Sequence, residues 1–259
     1  MELREWAIRI LSADRIEEKL LDPISFTDEK PGAPLLWQEP TRPKNMIFTK
    51  HTRAGDKLPS FQEHHKSENI AVCLHRFCGH ELLAVEIMAY VLLAFPESPP
   101  SFRKGVAHTL REEQMHVRLY MDRMKELGLN FGDLPLFKHF WKHTPYLTSP
   151  IKYVSMMSLT FEMANLDFAP QYGLSFERNG DQGSSNLMRR IFSDEISHVR
   201  FGMKWFQQFK EKNADAFLSY QEAILPHLTP KRAKGFVFQK KARETASVPA
   251  DWIAALEAL

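Results

Sequence analysis

Glu113-Gln-Met-His116 and Glu195-Ile-Ser-His198 share one pattern, Glu-x-x-His, whose two side chains stand on the same helix face about one turn apart. Each is preceded by another carboxylate at nearly equal distance: Glu81 lies 32 residues before Glu113, and Glu162 lies 33 before Glu195. One Glu-x-x-His arises by accident in a chain of 259 residues; two with matched upstream glutamates are much rarer. Apolar residues share their faces at helical spacing. Leu74, Phe77, Val85, Met88 and Leu92 flank Glu81, while Val106, Leu110, Val117, Tyr120 and Met124 flank Glu113. Ser155, Leu159, Leu166 and Ala169 flank Glu162, and Ile191, Phe192, Val199 and Phe206 share the helix of Glu195 and His198.

All six side chains are therefore expected to point into a core. Four buried carboxylates without partners repel one another, at a cost on the order of several kcal/mol each. Two divalent cations remove that cost, with two neutral imidazoles completing the ligand set. Carboxylate oxygens with one imidazole per metal suit iron or manganese better than zinc. The zinc-protease pattern His-Glu-x-x-His is absent, since HELLA at 80–84 fails it. The competing reading is six helix-surface residues in chance register.

Four more carboxylates are candidates for supporting the ligands. Glu112 and Asp194 directly precede a ligand glutamate, where they would accept the free N–H of a ligand histidine and fix its tautomer. Their alternative role is that of solvated acids. Glu86 and Asp167 each follow the upstream glutamate of their half by five residues. Glu86 also rivals Glu81 as a ligand, but its distance of 27 from Glu113 matches the second half less well. His75 and His80 are either supporting residues or ordinary core and surface histidines.

The elements that must position these residues are helices. The patterning predicts them over 67–95, 101–127 (stopped by Gly128), 149 to about 170 or beyond, and 184 to about 209. From Glu81 to Phe95 the first would climb roughly 21 Å, and from Ser101 to Glu113 the second would descend roughly 18 Å. The two carboxylates thus return to one level. Two such hairpins joined by a long connection over 128–149 give a four-helix bundle with one central polar layer.

Residues 2–21 read as an N-terminal helix broken near Ser12, with Asp14 and Glu17 resembling a capping box. Pro23, Pro31, Pro34, Pro40, Pro43 and Pro59 mark an extended arm, so residues 1–60 form a helix and arm packed on a bundle over 61–212. A helical extension follows over 213–259, with helices near 213–225 and in PADWIAALEAL. The fold class is all-α.

The formal charge of +2 argues neither for nor against a polyanionic partner. Cys73 and Cys78 lack CxxC spacing and read as small buried hydrophobes in a reducing compartment. The first twenty residues have no signal-peptide pattern. The run LLAVEIMAYVLLAF contains Glu86 and is too short to cross a bilayer. No membrane association and a cytoplasmic location are expected.

HELLAVEIM, LREEQMHVRLYMDRMKELG, FGDLPLF, FEMANLDFAP, DEISHVRFGMKWF and KRAKGFVFQKKAR together resemble the ferritin-like superfamily. They are more closely similar to domain-of-unknown-function family 455, related to the MiaE-type tRNA hydroxylases. The resemblance covers most of residues 65–245. It implies a ferritin-like bundle with a long crossover, and metal ligation by Glu81, Glu113, His116, Glu162, Glu195 and His198. Glu81–Ala84 matches a first-helix Glu-x-x-Ala pattern and so favours Glu81 over Glu86. EMANLD departs from the family, which places an arginine close after this glutamate. The implied activity is that of a di-iron oxidoreductase using O2, a small-molecule substrate and an electron donor. Tyr90, Tyr120, Tyr153 and Trp205 are either electron carriers or core. A tRNA-modifying hydroxylase would use the basic segment 231–243 to hold phosphates; a metal-storage protein would need cage assembly, against which the long arm and tail argue, and a metal-free interaction module leaves the acidic layer unexplained.

Overall fold

A computed structural model describes residues 1–50 and 57–259; the part of the arm over 51–56 lies outside the described residues. The chain is all-α, and among the described residues no strand forms. The helices are α1 (Leu3–Ser12), α2 (Ile16–Lys19), α3 (Ser67–Ala94), α4 (Pro100–Glu126), α5 (Pro150–Met156), α6 (Met163–Arg178), α7 (Gln182–Phe209), α8 (Ala216–Ile224), α9 (Lys240–Thr245) and α10 (Ala250–Glu257). Two compact units result, Met1–Thr144 and Pro145–Leu259.

The first unit is built on the hairpin of α3 and α4, with α1 packed on α3. The helix α3 is apolar nearly all round because it is enclosed on most sides. At 28 residues it is longer than the apolar run picked out in the sequence, and it has the length and hydropathy of a membrane span. Yet 89% of its most apolar stretch is buried within the protein, as in a core helix. Of the apolar residues expected around Glu81 and Glu113, only Phe77 is half-buried, its ring meeting Tyr120 edge-on.

Arg103, in the first turn of α4, shapes the turn between the two helices. It donates to the carbonyl of Leu92 (2.7 Å), which α3 leaves unpaired at its end, and to that of Phe95 (3.1 Å), which also accepts Ser98 N–H. Its other nitrogens form a two-pronged pair with Asp28 of the arm, at 2.8 Å each. Glu81 stands 13 residues before Ala94 and Glu113 stands 13 after Pro100, so the turn returns the chain at matching height.

The arm lies along this hairpin. Thr41 N–H donates to Leu11 O (2.8 Å) and Leu35 N–H to Leu93 O (3.0 Å). The break after Ser12 is real, but α2 begins after Arg15 rather than at an Asp14 capping box.

His75, inside α3, accepts N–H groups from Gly132 (3.1 Å) and Leu134 (3.4 Å) at Nε2, tying down the chain beyond α4. It is a core residue. Burial, aided by Arg76, lowers its pKa from 6.5 to about 4. The unfolded chain therefore takes up this proton near pH 6.5 while the folded chain resists until about pH 4. Stability should fall as pH drops through that window, by up to about 3 kcal/mol from this residue. His75→Gln keeps an acceptor and should flatten that part of the loss. Urea midpoints of both proteins at pH 7 and 4.5 check it; parallel losses would assign the pH dependence to other groups.

The second unit pairs α6 with α7 and packs α5 against α7 and α8. Two details differ from the sequence reading. The helix entering at Pro150 does not run smoothly to Pro170: residues Met157–Glu162 form a wider π turn, and α6 then continues through Pro170 to Arg178. Also, α7 starts at Gln182 because Asp181, not a serine, caps it. The Asp181 carboxylate accepts both Ser184 N–H (2.8 Å) and Ser184 Oγ–H (2.7 Å).

Candidate metal centre

In the first unit, Glu81 of α3 and Glu113 and His116 of α4 converge. Each is at most 6% exposed, and one ligand atom from each lies within 4.8 Å of the other two. His116 Nδ1 is 3.1 Å from Glu113 Oε2. Neighbouring ligands on an ion with bonds of about 2.1 Å are about 3 Å apart when they meet at right angles, so this pair has the bite of a chelate. The adjacent Cys78 is buried, and both burial and the charge of Glu81 push its thiol well above its usual pKa. In the metal-free chain it stays protonated.

In the second unit, Glu162, Glu195 and His198 are equally buried. Glu195 Oε2 and His198 Nδ1 are 3.6 Å apart. Glu195 Oε1 accepts from Asn165 Nδ2 at 2.9 Å, while Oε2 is buried with no hydrogen-bond donor. A buried carboxylate oxygen without a donor is expensive unless a cation meets it. The converging donors of the first unit, two carboxylates and one imidazole, fit a divalent metal, and in the second unit the donor-less Glu195 oxygen beside His198 suits a cation.

Local packing explains how Glu162 comes to face inward. It ends the π turn, a feature that adds a residue to a helical turn and recurs at functional sites. Thr160 supports the turn by donating to Ser155 O (2.7 Å) and pairing with the buried Tyr220 hydroxyl of α8 (2.8 Å). Opposite it, α7 carries Gly202, where a Cβ would come within 2.2 Å of Ser158 Cβ. Only glycine lets the two backbones approach so closely. Glu162 is four residues beyond Ser158, and His198 four before Gly202, so this contact sets the level of both.

The supporting carboxylates divide. Asp194 pairs with Arg190 at 2.7 Å on the outer side of α7, and Glu112 is exposed on α4. Glu86 and Asp167 are completely buried and make their ion pairs with Lys19 and Arg42, and with Arg243, rather than with a ligand histidine. His80 stacks on His139 with centroids 5.0 Å apart. Sequence reasoning missed Asn165, Thr160 and Gly202. Asn165 alone left a trace, since it falls in EMANLD, the stretch that departs from the resemblance.

Fold and site together define an all-α protein with a buried carboxylate–histidine group able to hold a metal ion. The family described as "Protein of unknown function (DUF455)" matches residues 5–254, and the chain belongs to that family. An uncharacterized protein of Haemophilus influenzae (strain ATCC 51907 / DSM 11121 / KW20 / Rd) is 25% identical over 126 residues, which make up 48% of this chain and 44% of that protein. The chain thus spans less than half the length of that curated relative. No solved structure matches it significantly.

Proposed function

We propose that the protein is a di-iron carboxylate oxidoreductase that uses O2 to oxidise or hydroxylate a small organic substrate. Glu81, Glu113 and His116 would supply one half of the ligand set, and Glu162, Glu195 and His198 the other. The observation that carries this reading is the repetition itself: two hairpins, each with an upstream glutamate and a Glu-x-x-His, all six side chains buried. Iron bound there would supply electrons and open coordination positions for O2; manganese suits the same donors.

The chain's own residues would prepare the ligands. Asn165 holds one oxygen of Glu195 and so leaves the other for a metal. Val106, Leu110 and Val117 on α4, all completely buried, would keep water from Glu113 and His116, which strengthens the charge interactions there. A cytoplasmic setting suits the unbridged Cys73 and Cys78; burial pushes the Cys73 thiol up to about 12.

A tRNA substrate draws less support. Within the basic segment 231–243, Arg243 is buried against Asp167, and Lys234 Nζ is taken by Glu257 O at 3.0 Å. That leaves Lys231, Arg232, Lys240 and Lys241 exposed.

Oxygen uptake tests the proposal. Protein loaded with Fe(II) under anaerobic conditions should consume O2 in proportion to the iron bound, and Glu113→Ala should abolish that uptake. Bound iron that remains ferrous in air would contradict it.

A further inference from the structure

Glu86 and Asp167 occupy equivalent places in the two halves. Each follows its upstream glutamate by five residues, and each is completely buried. Each also binds a buried arginine from the chain outside the hairpins. Asp167 Oδ1 and Oδ2 receive Arg243 Nη1 (2.7 Å) and Nη2 (2.8 Å), along with the backbone N–H groups of Gln239 (2.7 Å) and Gly235 (2.8 Å). At Gly235 a Cβ would lie 2.9 Å from Asp167 Cβ, so the site is cut to fit this backbone. Glu86 receives Arg42 through Nε and Nη2, and Lys19 Nζ at 3.0 Å.

Residues five apart on an α-helix are separated by about 140° around its axis. The anchor therefore faces away from the metal glutamate, and fixing one fixes the rotation of the other. Such a restraint matters most at Glu162, because relaxing its π turn into α-helix would rotate the flanking helix by about 100°. Arg243 also contacts the backbone there, with Nη2 3.5 Å from the carbonyl oxygen of Met163, the residue after Glu162.

We propose that Asp167 and Glu86 are positioning residues of the metal glutamates: through Arg243, and through Arg42 and Lys19, the two flanking segments lock the rotation of Glu162 and Glu81. The inference rests on the metal reading above. It makes residues 229–245 and the arm part of the metal centre, although no residue in them is a ligand. Supporting contacts of this kind are typically worth ten- to a hundredfold in metal affinity, by order of magnitude.

Co(II) binding to the full chain tests this, by competition with a chromophoric chelator and by the visible bands that report coordination geometry. The variants are Asp167→Asn and Arg243→Lys. Arg243→Lys keeps the charge but loses the fork, and it remains informative if Asp167→Asn does not fold. Ile224→Ala, a buried change in α8 that removes no partner of Asp167, controls for lost stability. Folded Asp167 and Arg243 variants should bind Co(II) at least about tenfold more weakly with altered bands, while Ile224→Ala keeps the wild-type spectrum. Wild-type affinity and spectrum in a folded Asp167 or Arg243 variant would overturn the inference, as would an altered spectrum in Ile224→Ala. A wild-type chain that binds no Co(II) would instead overturn the metal reading on which it rests.

Discussion

Glu195→Gln should raise the thermal midpoint of the metal-free protein and remove most of the further rise that metal brings. The carboxylate is 1% exposed, with one oxygen held by Asn165 and the other without a donor. Removing its charge relieves a desolvation cost and the repulsion within the acidic group. The amide keeps the shape and can still accept from Asn165. A metal at a thousand times its dissociation constant stabilises a folded chain by about 4 kcal/mol, and the variant should forfeit most of this. Thermal unfolding with and without Mn(II) measures both effects. An undiminished metal shift in Glu195→Gln would remove this residue from the ligand set.

Glu86→Gln should have the opposite effect on the metal-free protein. Glu86 is the counter-charge for both Lys19 and Arg42, and all three side chains are almost wholly buried. Desolvation already lowers the pKa of Lys19, and the charge of Glu86 is the largest influence opposing that fall. Neutralising Glu86 leaves two buried cations facing an amide, a change worth about 3–5 kcal/mol of stability. That is a large fraction of the 5–15 kcal/mol that typically holds a domain folded. Urea unfolding at neutral pH should show the midpoint falling steeply with little change in slope. A shift below about 1 kcal/mol would mean that water reaches the group and solvates the cations.

Much of this arrangement could be read from the sequence because helical periodicity is local. The hairpin α3–α4 ends within a residue or two of where the apolar pattern, PESPP and Gly128 place it. Glu81, Glu113, His116, Glu162, Glu195 and His198 stood out because two ionisable side chains on an apolar face need a reason. The start of α7 was harder to read: Asp181, Ser184 and Ser185 can all cap a helix, and only the fold shows that Asp181 takes the role while both serines are buried. The π turn has no composition that marks it; Gly202, which accommodates it, lies 44 residues beyond Ser158, the residue it meets. Spacing singled out Glu86 and Asp167 but gave no hint of their partners. Arg42 and Arg243 lie 44 and 76 residues away, joined to them by packing that no local pattern encodes.

The most direct test of the central claim is the metal content of the full chain after anaerobic equilibration with Fe(II) and removal of loose ions, compared with Glu113→Ala and Glu195→Ala. The account predicts two irons per wild-type chain and near-complete loss in each variant, because each glutamate is a proposed ligand. Two irons retained by either variant, or none bound by a correctly folded wild type, would contradict it.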